Sequence, residues 1–210
     1  DIHNTGVVQG DVSTTVNSQE TVNNSGLINS GKTTDIKAKS VDNNEGGRIY
    51  GDTVAIDANT VKNHTNSEIE QRYHKAGKDL EKAKNDLDAE WNADITKYKT
   101  KTELEAHRQR IKELTKAYDQ AQENVTTIKK ELDTHKSGVI AGRNHVDITT
   151  DTINNTGKGF IYSGGTMDLT AKEGINNTGS TIKAVKSIEL DTPVVNNKNV
   201  ALGVKRVSDG

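Results

Sequence analysis

The stretch Ile153-Asn154-Asn155-Thr156-Gly157 returns a little further on as Ile175-Asn176-Asn177-Thr178-Gly179. The same Asn-Asn-x-Gly pattern occurs at residues 23–26 and 43–46, and weaker copies stand at 3–6 and 196–199. Self-similarity at a fixed period is typical of repeat proteins, in which each repeat packs only on its neighbours. These corners therefore decide the fold.

Aligning one Asn per corner gives the positions 4, 24, 44, 155, 177 and 197. One repeat is missing from this series because it is split: Val61-Lys62-Asn63 matches the approach to a corner, and Ser137-Gly138 matches the exit. When residues 64–136 are removed, the spacings become 20, 20, 19, 19, 22 and 20 residues. We therefore predict N-terminal coils in 1–63, an insertion in 64–136 and C-terminal coils in 137–210.

Short period-two alternations lie between the corners, for example at 54–58 and 167–171. Alternation of this kind indicates half-buried strands. Coils of about 20 residues with short strands predict a mainly β fold, a right-handed parallel β-helix of about seven coils. Stacked corners would let the Asn amides form ladders, and the alternative is a plain Gly/Asn turn without a ladder. The predicted structural corner residues are Asn24, Gly26, Asn44, Gly46, Asn63, Gly138, Asn155, Gly157, Asn177, Gly179 and Asn197.

The composition agrees with a narrow solenoid. Of the 210 residues, 30% are apolar and 3% aromatic, and 28 Lys+Arg face 30 Asp+Glu for a net charge of −2. The low apolar content argues against a thick-cored enzyme, and the near-neutral charge argues against disorder. A general nucleic-acid binder would show a basic footprint, and a membrane span would need an apolar run of about 20 residues. We therefore expect no nucleic-acid partner and no membrane span.

The insertion has a different composition, since it contains one of the 18 Gly but fifteen basic and fifteen acidic residues. Capping signatures at 67–70 and 102–105 predict two helices of about 32 residues, with a turn near 99–101. Their apolar positions alternate by three and four residues, which predicts an antiparallel coiled coil that projects from the Asn63/Ser137 corner. We expect i,i+4 ion pairs such as Glu68–Arg72 on its solvated face. The predicted seam positions are 69, 73, 76, 80, 83, 87, 91, 95 and 98 in the first helix, and 104, 107, 111, 114, 118, 121, 125, 128, 132 and 135 in the second.

Possible contact residues at the distal end of the hairpin are Trp91, Tyr98, His107 and Arg108, because Trp and Arg are typical interface anchors. The alternative is that the aromatic residues only fill the seam. His64 and His135 flank the root of the hairpin, where a polar contact is expected because a metal site would need more ligands.

The sequence predicts no catalytic residue, no cofactor and no metal. It has no cysteine and none of the common phosphate-, dinucleotide- or metal-binding motifs. A row of carboxylates at Asp57, Asp147, Asp168 and Glu189 leaves a polysaccharide-active β-helix enzyme as an alternative. Repeated solvated strand positions explain that row without catalysis.

The run Ile175-Asn176-Asn177-Thr178-Gly179-Ser180-Thr181-Ile182-Lys183-Ala184, together with the corner at 153–157, resembles the repeats of filamentous haemagglutinins. The resemblance covers 1–63 and 137–210 and leaves the hairpin out. It implies an exoprotein of a two-partner secretion system, exported by an outer-membrane partner transporter to the surface or surroundings of a Gram-negative bacterium. The lack of cysteine fits that route. Since the chain starts at Asp1 without a signal peptide, we expect a fragment of a longer fibre.

Two kinds of function remain open beside the enzyme. The hairpin of a stalk-like adhesin would contact a protein or glycan receptor on a host or neighbouring bacterial cell. In a contact-dependent growth inhibition effector, the hairpin would instead mediate self-association or act as a spacer.

Overall fold

The computed structural model describes residues 1–199, which form a mainly β protein with two helices. The chain divides into two compact units, one formed by Asp1–Ser67 with the segment that starts at Thr134, and the other by Glu68–Asp133. The strands of the first unit are β1 Ile2–Asn4, β2 Val7–Gly10, β3 Ser13–Asn17, β4 Thr21–Asn24, β5 Leu27–Ser30, β6 Thr33–Asn43, β7 Arg48–Asn63, β8 Val139–Thr156, β9 Phe160–Ser163, β10 Thr166–Thr178, β11 Thr181–Ala184, β12 Ser187–Asp191 and β13 Val195–Lys198. The predicted Val200–Gly210 end of the C-terminal coils lies outside the described residues.

All strand pairs of the first unit are parallel, and they form three rows. The corner row contains β1, β4, β13 and the final parts of β6, β7, β8 and β10. The second row contains β2, β5, β9, β11 and the first parts of β7 and β8, and the third contains β3, β12 and the remaining parts of the long strands. A parallel sheet built from successive repeats agrees with the predicted β-helix.

The core of this unit consists of inward-facing columns of apolar residues, one in the corner row, one in the second row and at least two in the third row. In the corner row, Val22, Val41, Val61, Ile153 and Ile175 stack on one another and are at most 1% exposed. Because successive side chains of a strand point to opposite faces, a strand supplies one core residue to the corner row or the second row and up to three to the third row, as β7 does with Val54, Ile56 and Ala58. This arrangement explains how a chain with 30% apolar residues encloses a continuous core.

The second unit contains two helices, α1 Ser67–Trp91 and α2 Lys101–Thr134. Their apolar residues pack against one another, and the buried ones are Ile69, Ala76, Leu80, Leu87, Tyr118, Val125, Ile128 and Leu132. Arg72 near the start of α1 binds Glu131 near the end of α2, with both guanidinium–carboxylate distances at 3.0 Å, so the helices run antiparallel. The bond from Glu131 raises the pKa of the Arg72 guanidinium, and the charge of Glu68, the partner expected from the sequence, adds to this effect.

The first helix is shorter than predicted, because it ends at Trp91 instead of running on to Tyr98. A short 3₁₀ turn, Ile95–Lys97, follows, and the carboxylate of Asp94 caps it by accepting a hydrogen bond from the Thr96 amide at 2.9 Å. Asp favours such local caps over a helix interior. Ile95 therefore does not lie in the seam and is 60% exposed. Trp91 is also exposed, at 57%.

The second helix starts slightly earlier than its capping signature at Thr102 predicted. Thr100 is the capping residue: its hydroxyl accepts from the Glu103 amide, and the Glu103 carboxylate accepts from the Thr100 amide at 2.9 Å. This reciprocal pair is a capping box, in which the Ser/Thr and the Glu lie three residues apart. The capping box of the second helix is therefore formed by Thr100 and Glu103, and not by the predicted residues 102–105.

Candidate functional site

Six hydrogen bonds join the corner asparagines into one continuous ladder. In each step the side-chain amide of one Asn donates to the side-chain oxygen of the Asn in the next coil, at 2.8 Å. The ladder residues are Asn4, Asn24, Asn43, Asn63, Asn155, Asn177 and Asn197. The step from Asn63 to Asn155 continues the ladder across the insertion.

The ladder amides from Asn4 to Asn177 also donate to backbone carbonyls, as Asn43 does to Gly47 and Val139 at 3.0 and 3.1 Å. These bonds give the second hydrogen of the amide a hydrogen-bond partner. Asn43, Asn63 and Asn155 are fully buried. Buried polar side chains are tolerated when all of their hydrogen-bonding groups have partners. The ladder therefore holds the coils in register.

The alignment of Asn44 with this ladder was wrong. Val41 pairs with Val22 and Val61, which places Asn43, and not Asn44, at the inward ladder position. Asn44 instead donates to Asn23 and Asp42 in a second, partly buried layer. The reason is the period of two along the strand, since the ladder Asn always follows the buried aliphatic residue by two positions.

The corner glycines serve two different purposes. Gly46, Gly157 and Gly179 have positive φ angles, of 82°, 54° and 59°, which other residues rarely adopt. A second set, Gly26, Gly47, Gly138 and Gly159, lies so close to the neighbouring coil that a Cβ atom would overlap a backbone oxygen. Gly47 and Gly159 were missed from the sequence, where the only signal was the extra Gly one or two residues after the Asn-Asn-x-Gly pattern.

Polar side chains connect the two ends of the insertion to the corner at residue 45, all within the first unit. The Glu45 carboxylate accepts hydrogen bonds from Asn66, just before α1, and from His135, just after α2. The neighbouring Asp42 carboxylate lies 2.7 Å from Nε2 of His64, which is 5% exposed. His64 and His135 thus each bind a carboxylate, in agreement with the expected polar contact.

Acid should weaken this cluster of side chains. The hydrogen bond from Asn66, followed by that from His135, holds the pKa of Glu45 below its ordinary value. Burial raises the pKa of Asp42, but the hydrogen bonds from His64 and Asn44 outweigh burial and leave it lowered. A lowered folded-state pKa contributes stability that is present above the ordinary carboxyl pKa and is lost as the pH falls through the folded value.

The Tm of the parent should therefore fall as the pH is lowered from about 5 to about 3. In the Glu45→Gln/Asp42→Asn variant, which lacks both carboxylates, we expect this fall to be smaller. Thermal unfolding followed by circular dichroism across this range measures the difference. Asp57→Asn, at an exposed strand position, is the matched control and should keep the parent's acid dependence. Equal acid dependence of the double variant and the parent would refute this role for the cluster.

At the distal end of the hairpin, four side chains form a partly buried polar cluster. His107 is 5% exposed, and its Nδ1 lies 2.6 Å from a Glu90 carboxylate oxygen and 3.1 Å from the Tyr98 hydroxyl. Arg110 lies 3.6 Å from the same carboxylate group. The ring of Tyr98 packs against the His107 ring, with 4.8 Å between centroids. This cluster attaches the connecting segment to the helices.

The predicted contact residues therefore separate into two groups. His107 is buried and Tyr98 is half-buried, which agrees with their predicted seam positions. His107 is therefore not available for the contact that was also predicted for it. Trp91 and Arg108 are exposed, and Ile95, which the sequence placed in the seam, joins them at the surface. We refer to Trp91 and Ile95 below as the distal apolar pair.

The third row of strands carries the carboxylates on which the enzyme alternative depended. Asp147, Asp168 and Glu189 are in register, but Asp57 pairs with Thr149 and does not belong to the row as expected. The described arginines of this unit lie elsewhere: Arg143 binds Asp52 and the Gly31 carbonyl, and Arg48 is in the second row. Within residues 1–199, no group of three or more His or acidic side chains is arranged to hold a metal ion.

The sequence matches the haemagglutinin repeat family over residues 1–88 and 139–189. The chain belongs to the haemagglutinin repeat family. Members of this family are adhesin-type exoproteins that are secreted or displayed at the cell surface, and the repeat itself is non-enzymatic. No curated protein and no solved structure matches the chain. No helix among the described residues has the length and apolarity needed to cross a bilayer.

The family match differs from the predicted extent at three of its four ends. It runs past residue 63 to residue 88, through most of α1, and in the second segment it starts at 139 and stops at 189. Residues 67–88 are helical, so the match over these residues does not correspond to β-strands of the repeat. The Asn ladder, in contrast, continues beyond the match to Asn197.

Proposed function

We propose that the chain is a stalk segment of an adhesin, in which the inserted hairpin contacts a protein or glycan receptor on a host or neighbouring bacterial cell. In this proposal residues 1–63 and 137–210 form a right-handed parallel β-helix of about seven coils, and residues 64–136 form an antiparallel coiled-coil hairpin. A Gram-negative bacterium exports the parent protein through an outer-membrane partner transporter and keeps this segment outside the cell. Neither catalysis nor a cofactor takes part.

The observation that carries the proposal is the distal apolar pair. The apolar residues along the rest of the hairpin seam are buried or half-buried, while Trp91 and Ile95 are 57% and 60% exposed. Large apolar side chains exposed together commonly mark interaction sites, and Trp is among the most frequent energetic anchors of interfaces. The polar cluster around His107 holds Glu90 and Tyr98, which lie on either side of the pair in the chain. A fixed anchor loses less conformational entropy on binding.

The test is cell binding by the intact chain and by a variant that lacks residues 64–136. Joining Asn63 to Ser137 gives the corner Asn-Ser-Gly-Val, which has the same length as Asn24-Ser25-Gly26-Leu27 in an uninterrupted coil. We expect the variant to lose most of its binding to receptor-bearing cells in flow cytometry while keeping its β-type circular dichroism spectrum. Undiminished binding by a folded variant would refute the receptor role.

A second candidate is a stalk segment of a contact-dependent growth inhibition effector, whose hairpin mediates self-association or acts as a spacer. The distal apolar pair also supports this alternative, because a second copy of the chain would cover it equally well. Sedimentation of the parent and of Trp91→Ser/Ile95→Ser separates the two candidates. Dimers in the parent alone favour self-association, and monomers in both favour an external receptor.

A further inference from the structure

The seam of the hairpin stops before the distal end on both helices. The apolar cluster between the helices extends on α2 only to Ile111, although the sequence predicts seam positions as far as Leu104. Leu104 is half-buried, while Trp91 and Ile95, the residues predicted to face this part of α2, are exposed. Apolar residues that suit a longer seam are therefore present on both sides of it.

The antiparallel pairing of the helices places these residues at the same level. Glu90 of α1 lies beside His107 of α2, with 2.6 Å between the carboxylate oxygen and Nδ1. If α1 continued as a helix, residues about one turn after Glu90 would lie opposite residues about one turn before His107. Ile95 and Leu104 occupy these two positions, so a longer α1 would complete the seam.

The chain leaves the helical path at Asp94. Helical hydrogen bonds continue just past the end of α1, since the Asn92 amide donates to the Asp88 carbonyl at 3.0 Å. Asp94 then has a φ of −65° and a ψ of 105°, which is an extended conformation, and Ile95–Lys97 is helical again as a 3₁₀ turn. A rotation of ψ at Asp94 is therefore needed to join α1 to this turn. Residues 92–98 contain neither Gly nor Pro, so their composition permits a helix.

The Asp94 carboxylate stabilises the extended conformation. One of its oxygens accepts hydrogen bonds from the Thr96 amide at 2.9 Å and from the Thr96 hydroxyl at 2.7 Å. A capping residue makes such bonds with a non-helical backbone, so the cap would be lost in a continuous helix. The last turn of α1 also contains Asp88 and Glu90 and no basic residue, and negative charge is unfavourable at a helix C-terminus. Ionised carboxylates at this end therefore favour the early end of α1.

We propose that Asp94 is the switch residue of the distal end. While its carboxylate is ionised, the cap at Thr96 keeps the distal end in the open state described above, with the distal apolar pair exposed. When the carboxylate is neutralised, α1 continues to Tyr98 and the pair packs into the seam against α2, which we call the closed state. Only the open state then offers the pair to a receptor, a consequence that rests on the function proposed for the hairpin.

Acid shifts the equilibrium toward the closed state. The hydrogen bonds from the Thr96 hydroxyl and amide, together with the charge of Lys97, outweigh burial and hold the pKa of Asp94 below its ordinary value. A lowered pKa stabilises the open state above the ordinary carboxyl pKa, and this stabilisation is lost as the pH falls through the lowered value. The closed state should therefore become populated as the pH falls from about 5 to about 3.

The other charged groups at the distal end are compatible with both states. Glu90 lies in α1 and is held by His107 and Arg110 of α2, and the bond from His107 lowers the pKa of the Glu90 carboxyl. Glu103 caps the start of α2, which both states share. Lys97 would lie in the last turn of the longer α1, where a cation interacts favourably with the helix dipole.

Fluorescence measures the change directly, because Trp91 is the single Trp of the chain. Asp94→Ala removes the cap and supplies a better helix former, which should shift the equilibrium toward the closed state by about fivefold or more. At neutral pH we expect this variant to emit at a shorter wavelength than the parent and to show a larger helical signal in circular dichroism. Acidifying the parent to about pH 3.5 should produce the same two changes.

Two further variants serve as controls. Asp79→Ala removes an exposed acid from the middle of α1 without touching the cap, and should keep the emission of the parent at neutral pH. Ile95→Pro should keep Trp91 exposed even in acid, because Pro suits the start of the turn and holds the residue before it in the extended region. An unchanged emission in Asp94→Ala, or a shift to longer wavelength with loss of helical signal, would overturn the switch. An acid response of Ile95→Pro equal to that of the parent would do the same.

The cell-binding experiment distinguishes a failure of the switch from a failure of the proposed function. Undiminished binding by the folded chain without residues 64–136 refutes the receptor role, and the fluorescence of Trp91 still decides whether the switch exists. Loss of binding by that chain, combined with an emission that responds neither to acid nor to Asp94→Ala, supports the receptor role and refutes the switch.

Discussion

Asn43→Ala is expected to lower the free energy of unfolding by about 3–5 kcal/mol, while Asn44→Ala lowers it by about 1 kcal/mol or less. Asn43 is fully buried, accepts from Asn24 and donates to Asn63 in the ladder. Its loss leaves the Asn24 amide without its ladder acceptor and the Asn63 oxygen without its donor. Each buried polar group that loses its partner costs about 1–3 kcal/mol.

The two neighbouring positions form a matched pair, because they carry the same residue type in the same corner. Urea unfolding of both variants, followed by circular dichroism, measures the difference. Asn44 is only partly buried and bonds with Asn23 and Asp42, so its replacement removes weaker contacts. If Asn44→Ala were as destabilising as Asn43→Ala, the ladder assignment would be wrong.

Gly159→Ala is expected to cost about 3 kcal/mol or more, because the added methyl group would overlap the Asn63 carbonyl oxygen and the Asn155 side-chain oxygen. The overlap is with backbone and with the ladder itself, so neither neighbour can move aside without disturbing the register. Gly6→Ala is the control, since no atom lies within 4 Å of the position where its Cβ would be. The control should change the stability by less than about 1 kcal/mol.

Thermal unfolding of the two alanine variants and the parent tests this pair. The expected order of Tm is Gly159→Ala well below Gly6→Ala, with Gly6→Ala close to the parent. A Gly159→Ala variant as stable as the parent would show that neighbouring coils are not packed as closely at this corner as described.

The repeat was predictable from the sequence because its signal is redundant. Each coil supplies an aliphatic residue two positions before an Asn, and the offsets of about 20 residues reveal the corner even where one copy is split by the insertion. The error at Asn44 arose from aligning the Asn-Asn pair instead of the pair formed by Val41 and Asn43. The buried aliphatic residue sets the register, because shifting a strand by one residue would turn its core side chains toward solvent.

The corner glycines have two different structural roles, and only one of the two can be explained from the sequence alone. Gly46 and Gly157 were predicted from the pattern, and their positive φ angles explain the preference for Gly. Gly47 and Gly159 are required by contact with the preceding coil, which depends on the distance between coils and not on local conformation. Local rules explain the left-handed turn residues, whereas the repeat pattern identified Gly26 and Gly138 without a reason, and their close approach to the neighbouring coil supplies that reason only once the coils are stacked.

The distal end of the hairpin was harder to predict than its shaft. Along the shaft, the three-four spacing correctly predicted the buried residues from Ile69 to Leu87 and from Tyr118 to Leu132. Beyond Leu87, the cap at Asp94 ended the helical pattern and exposed Trp91 and Ile95, while His107 turned inward to Glu90. Local side-chain–backbone bonds in this segment compete with helix formation, and hydrophobic spacing alone does not report them.

The central claim is that the coils before and after the insertion form one continuous parallel structure to which the hairpin is added, since Asn63 bonds to Asn155 directly across the insertion. Amide hydrogen exchange of the chain without residues 64–136 tests this claim most directly. We predict that strands 54–63 and 145–156 keep their protection to within about tenfold of the intact chain, because local opening there is governed by the neighbouring coils. Rapid, unprotected exchange of these two strands in the shortened chain would contradict the claim.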